Sequence, residues 1–154
     1  MFKLYSKGCE YAVRALVYVI DGNDDGQARF LAAEICKQAA IPEAYTRKVF
    51  QSLVQGGFLT AHRGPGGGYS LTRPSSEITI LDVILAVDGE DTFGQCIMGL
   101  PGCGGEKPCP LHHIWVEAKE RMLHQLRNCT LQEIKDTVVA RQKLFKRKAR
   151  AKKS

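Results

Sequence analysis

The chain has 154 residues, 44% hydrophobic and 25% charged, enough for one domain with a core of its own plus appendages. Its net charge is +6, but the last fourteen residues hold eight Lys and Arg and no acid, so the body stands at about −2 and overall basicity implies no partner for it. No apolar run approaches the ~20 residues of a bilayer span, the start MFKLYSKGCEYAVRA lacks the apolar stretch of a secretory signal, and the cytosol, where thiols stay reduced, is the expected compartment.

Residues 6–20 are predicted to form a first helix, with Tyr11, Ala12, Ala15, Leu16 and Val19 on one apolar stripe. Residues 21–26, DGNDDG, then break the chain into a loop. A second helix over 31–39 is separated by Ala40 and Ile41 from a third. Pro42 at its first helical position and Glu43 in its first turn both favour that start. Two short helices joined by a tight link are a helix-turn-helix candidate.

The third helix is predicted to run to Val54 and to stop at Gly56-Gly57, anchored by Val49, Phe50, Leu53 and Val54. Thr46, Arg47 and Lys48 remain on its N-terminal part, the part of a recognition helix that enters a major groove. Arg47 suits a guanine edge and Thr46 a thymine methyl or a phosphate. Residues 58–63 and 68–73 alternate as two strands joined through Gly64-Pro65-Gly66-Gly67, which makes a hairpin with a Gly-rich tip. These glycines lead into a strand, so they do not form a nucleotide-phosphate loop. Helix, turn, helix and hairpin in that order make a winged helix. His62 and Arg63 at the wing root suit a minor groove or its phosphates, and Gly66 and Gly67 let the tip approach closely.

Residues 78–86 read as a short buried helix that closes this core and leads into Cys96-x6-Cys103-x5-Cys109-x2-His112. Gly and Pro fill the gaps, a composition that builds neither helix nor strand but wraps backbone around a bound group. Thiolates are soft ligands, suited to zinc, copper(I) or iron-sulfur clusters. A structural zinc site draws on paired cysteines two to four residues apart, and no such pair occurs here. The wider gaps suit a cluster held by Cys thiolates with His as an accepted substitute.

Residues 113–126 form an amphipathic helix with Trp115, Ala118, Met122 and Leu126 on one side, expected to pack on a second subunit. Thr130-Leu131-Gln132-Glu133 matches a capping box for a final short helix to about residue 139, followed by a basic tail over 141–154 expected to lack order. The predicted fold is mainly α with a small β-hairpin wing. It divides into a winged helix-turn-helix (1–90), a cysteine loop (91–112), a dimerisation helix with a C-terminal helix (113–140) and the tail.

Over residues 3–140 the chain resembles the Rrf-two family of IscR/NsrR-type bacterial transcription regulators. The matching stretches are Ser6-Lys7-Gly8, Tyr11-Ala12-Val13, the wing Arg63-Gly64-Pro65-Gly66-Gly67-Gly68-Tyr69, Ile84 to Asp88, the three cysteines, His112 and Trp115. The resemblance implies a homodimeric repressor and no enzyme. Its affinity for double-stranded operator DNA is then switched by a [2Fe-2S] or [4Fe-4S] cluster sensing cluster status, nitric oxide or redox state. Lys3, Ser6 and Lys7 join the expected DNA contacts.

For the fourth ligand the resemblance divides. IscR-like members use a histidine three residues past the last cysteine, matched by His112; NsrR-like members use a partner-subunit carboxylate just before the helix-one Tyr-Ala pair, matched by Glu10. Spacing and Trp115 favour His112, with Glu10 the alternative. The first gap has six residues where many relatives have five, a small entropic matter for a loop. Cys9, Cys36 and Cys129 show no ligand spacing, although Cys9 adjoins Glu10. The competing reading is a DNA-binding switch without a cluster, either thiol-disulfide or zinc-dependent.

Overall fold

Ser6 starts the first helix. Its hydroxyl accepts the Cys9 N–H at 3.2 Å, the bond that an N-cap side chain supplies to a helix whose first amides lack partners. In the computed structural model, which describes residues 4–21 and 28–151, helix α1 then spans Lys7–Asp21. Ala12, Ala15, Leu16 and Val19 are fully buried on one side of it, as the stripe predicts. The loop predicted at 21–26 falls mostly outside the described residues, as does Lys3.

Helices α2 (Ala32–Gln38) and α3 (Glu43–Gln55) meet at a sharp turn in which Ala40 takes φ 52°. That left-handed conformation costs an alanine about 1 kcal/mol. Pro42 lies one step earlier than predicted: its ψ of 143° is extended and its carbonyl accepts the Tyr45 N–H at 2.9 Å, so it is the residue before the helix and not the first within it. Val49, Phe50 and Leu53 are buried and seat α3 on α1, while Val54 is exposed because it falls on the outer face.

The wing is an antiparallel pair, β1 (Leu59–His62) and β2 (Gly68–Leu71), with Leu59 opposite Leu71 and His62 opposite Gly68. A third segment joins it. Phe30 exchanges both backbone hydrogen bonds with Tyr69, at 2.9 and 2.8 Å, so the chain ahead of α2 is laid against the wing. Gly68 permits this: at φ 129°, a Cβ built there would sit 2.6 Å from the Phe30 carbonyl oxygen.

Helix α4 (Ile80–Asp88) opens with a capping box between Thr79 and Asp82 and buries Ile80, Leu81, Val83 and Ile84 against α1 and α3. After a 3-10 turn whose Phe93 is buried comes the cysteine loop, then α5 (His112–Asn128) and α6. Residues 129–131 pair with 78–80, through Ile80 N–H to Cys129 O and Leu131 N–H to Ile78 O, both 2.9 Å, which clamps the start of α6 to the start of α4.

Helix α6 begins at the predicted box, Thr130 and Glu133 exchanging side-chain and backbone bonds at 2.8 and 3.3 Å. It does not stop near residue 139, nor does an irregular tail begin at 141: it spans Leu131–Ala151. The stretch holds no Gly or Pro, its Lys, Arg, Gln, Ala and Leu are strong helix formers, and cations in the last turns favour the helix dipole.

Candidate functional site

The residues expected to face DNA are placed by the turn and the wing. Arg47 and Lys48 are exposed on the first turns of α3. Thr46 is half-buried with its hydroxyl 3.3 Å from the Cys36 thiol, so it ties α3 to α2. On the wing, Arg63 and Gly66 are exposed, while His62 bonds Ser70 across the hairpin at 2.8 Å. A Cβ on Gly67 would strike the His62 carbonyl, so the tip turn accepts only glycine there. One basic residue escaped the sequence reading: Arg29 reaches the Gly66 carbonyl with its guanidinium at 3.3 Å. Nothing local marks it, because the Phe30–Tyr69 bridge carries it to the wing tip.

At the start of α1, the structure gives two expected DNA contacts internal partners. The Ser6 amide donates to Asp88 at 2.6 Å and its hydroxyl donates to the other Asp88 oxygen. Lys7 pairs with Glu10 at 2.7 Å and stays exposed. Glu10 also holds Arg14, again at 2.7 Å. Cys9 is fully buried, and burial, with the Asp88 charge, pushes its thiol up to about 12, so this cysteine is a core residue.

The cysteine loop is fastened at both ends. Asp88 and the buried Phe93 hold its approach to the winged helix, and the Trp115 indole N–H donates to the Gln95 carbonyl at 3.1 Å, one residue before Cys96. At the other end the Cys109 carbonyl accepts the His112 N–H at 3.0 Å as α5 begins. Cys96 and Cys109 are half-exposed and Cys103 is exposed. Backbone N–H groups of Met98 and Leu100, then the Cys103 thiol, draw the Cys96 thiol below its ordinary value. The Cys103 thiol is raised, first because it donates to Cys96 and then by burial and the charges of Cys96 and Cys109.

Cys103 also lies 3.2 Å from His112 Nδ1, and a Cβ on Gly104 would come within 3.1 Å of the His112 ring. Among the described residues, no three His, Cys, Asp or Glu side chains surround a single ion. The donors are joined in pairs instead, Cys96 with Cys103 and Cys103 with His112. Amides that stabilise a thiolate, a bare glycine against the imidazole and a soft donor set all fit an iron-sulfur group.

A helix-turn-helix followed at once by a β-hairpin wing defines a winged-helix DNA-binding regulator. The model of the Rrf2 family, described as an iron-dependent transcriptional regulator, matches residues 5–137, and the chain belongs to that family. The HTH-type transcriptional regulator IscR of Klebsiella pneumoniae (strain 342) is 36% identical over 132 residues, covering 86% of this chain and 78% of that protein. Among solved structures, CymR, the global cysteine regulator of B. subtilis, superposes with a TM-score of 0.70 at 20% identity, covering 89% of this chain and 98% of that one. T. potens IscR gives 0.66 at 20% identity with 86% of each chain covered. The Klebsiella relative is named a transcriptional regulator, and among the described residues no helix is long and apolar enough to cross a membrane.

Proposed function

We propose that this DNA-binding regulator is a homodimeric repressor whose operator affinity is switched by an iron-sulfur cluster on Cys96, Cys103, Cys109 and His112. The observation that carries the reading is the fastening of a soft-ligand loop directly to the winged-helix core, with Cys103 beside both Cys96 and His112. The cluster supplies a group whose presence and oxidation state answer to iron, oxygen or nitric oxide. The chain does the rest. Met98 and Leu100 amides lower the pKa of the Cys96 thiol and so favour its ligating form, and Gly104 leaves room for the imidazole. Trp115 fixes the near end of the loop to α5, and Asp88 links the end of α4 to the N-terminus of α1.

A Gly/Pro loop has little order of its own, so its packing follows the ligation state and biases the helices it is fastened to. Two recognition helices then address half-sites about one helical turn apart, roughly 34 to 36 Å. Glu10 supplied by the partner subunit is the alternative fourth ligand. Anaerobically purified protein is expected to show visible absorbance with matched iron and acid-labile sulfide, lost in Cys103→Ala; colourless, sulfide-free protein after reconstitution would exclude the cluster. On an operator selected from random duplexes, Arg47→Ala is expected to cost about 1 to 3 kcal/mol and relax one base position. Arg63→Ala weakens all sequences alike and lowers the salt slope by about 1.

The adjacency of a lowered Cys96 thiol and a raised Cys103 thiol favours one second reading, a cluster-free thiol-disulfide switch. It predicts colourless protein whose mobility on non-reducing gels changes with peroxide and is fixed by Cys96→Ser.

A further inference from the structure

The body of the chain is slightly acidic, yet a DNA-binding protein draws its sequence-independent affinity from neutralised phosphates. The cations are concentrated elsewhere: from Arg141 onward there are eight Lys and Arg and no acid. Six of them, from Arg141 to Arg150, lie on backbone that is helical through Ala151. Its position relative to the DNA-reading elements follows from a cavity of about 360 Å³ between α1, α6 and the end of α2. Val138, Val139 and Gln142 of α6 line that cavity together with Gln38, Ala39 and Ala40. Ala39 and Ala40 belong to the turn that delivers the chain into α3.

At Gln142, therefore, α6 is still alongside the helix-turn-helix, and the helical residues 143–151 continue from there for about 13 Å at 1.5 Å per residue. Arg141 and Lys143 are exposed where this stretch begins. A helix with this charge, continuing from a point beside the turn ahead of the recognition helix, suits the phosphates that flank a half-site.

We propose that residues 141–151 of α6 are a basic arm that binds the phosphates of duplex DNA beside the half-site addressed by α3. The inference rests on the DNA-binding reading and adds a second, sequence-independent contact to it. Such an arm raises affinity for all DNA equally and makes binding more sensitive to salt, while leaving discrimination between sequences to Arg47 and its neighbours.

The test compares the full chain with Lys146→Gln/Arg147→Gln/Lys148→Gln/Arg150→Gln, which keeps good helix formers at every position. Both are titrated onto a fluorescein-labelled mixed-sequence duplex of about 30 base pairs between about 50 and 200 mM KCl. The slope of log K against log salt is expected to become shallower by about 3 to 4 per protomer, with affinity at 100 mM KCl reduced at least about tenfold. Lys146→Arg/Lys148→Arg should keep the wild-type slope, and far-ultraviolet circular dichroism should report equal helicity.

Equal slopes for the neutralised variant and the wild type would overturn the arm while leaving the DNA-binding reading intact. Failure of both proteins to bind any duplex would remove both. Binding to phosphatidylserine vesicles that the neutralised variant loses, with the DNA slope unchanged, would assign the arm to an anionic membrane surface and also overturn the proposal.

Discussion

Among single residues, the six cysteines divide by surroundings more than by chemistry. Cys9 sits in the core with its thiol raised from 9.0 to about 12, whereas Cys96 is drawn the other way by the amides of Met98 and Leu100. In cluster-free protein at pH 8, Cys96 is expected to give the fast phase with a disulfide reagent, removed by Cys96→Ser, while Cys9 reacts only on unfolding. The Cys9 shift carries a sign for stability. Its neutral form is favoured in the folded protein, so the contribution is complete below about pH 9 and is lost as pH rises toward about 12. Cys9→Ala is expected to flatten the fall in melting temperature across that window. Glu133 acts at the other limb: hydrogen bonds from the Thr130 backbone and hydroxyl lower its pKa. Its contribution is present above the ordinary carboxylate pKa and is lost as pH falls through the depressed value. Glu133→Gln should therefore weaken the acid dependence of the α6 cap.

At the scale of elements, what could be read in advance is what repeats locally. Helical stripes gave α1 and α3, the Thr130–Glu133 box marked the start of α6, and alternation around glycines gave the wing. Pairs distant in sequence left no such mark: Ser6 with Asp88, 82 residues apart, and Phe30 with Tyr69 each depend on the assembled core. The length of α6 was missed for another reason: a dense run of cations reads as solvated chain by composition, although the same residues are good helix formers. In the cysteine loop the ligand types were legible, but the Trp115 bond to Gln95 and the amides around Cys96 were not, because they follow from backbone path. The bridge to the wing can be tested. Gly68→Ala meets the Phe30 carbonyl in a backbone conformation that disfavours side chains, and is expected to cost about 1 to 3 kcal/mol of stability and to lower affinity for duplex DNA. Unchanged melting and DNA binding would show that the Phe30–Tyr69 pairing has no role in holding the wing.

For the whole molecule, the telling fact is that α5, 17 residues long, has no buried residue in the protomer. Ile114 is 67% exposed and Leu111, just ahead of the helix, 45%, and Ile97, Met98 and Leu100 of the cysteine loop are exposed as well, so α5 leaves an apolar face uncovered in the protomer. If that face is the subunit contact, Ile114→Glu should reduce the mass in solution to the 17.0 kDa of one chain and weaken operator binding by about 10²-fold through loss of bivalency. An unchanged mass would place the contact elsewhere. The bond between Trp115 and Gln95 has a practical consequence as well. Trp115 is the chain's single tryptophan, so ultraviolet emission excited at the indole band comes from one point beside Cys96. The protein thus carries a built-in fluorophore at its proposed sensor, and loading, loss or oxidation there can be followed in real time without a dye, a tag or any change of sequence.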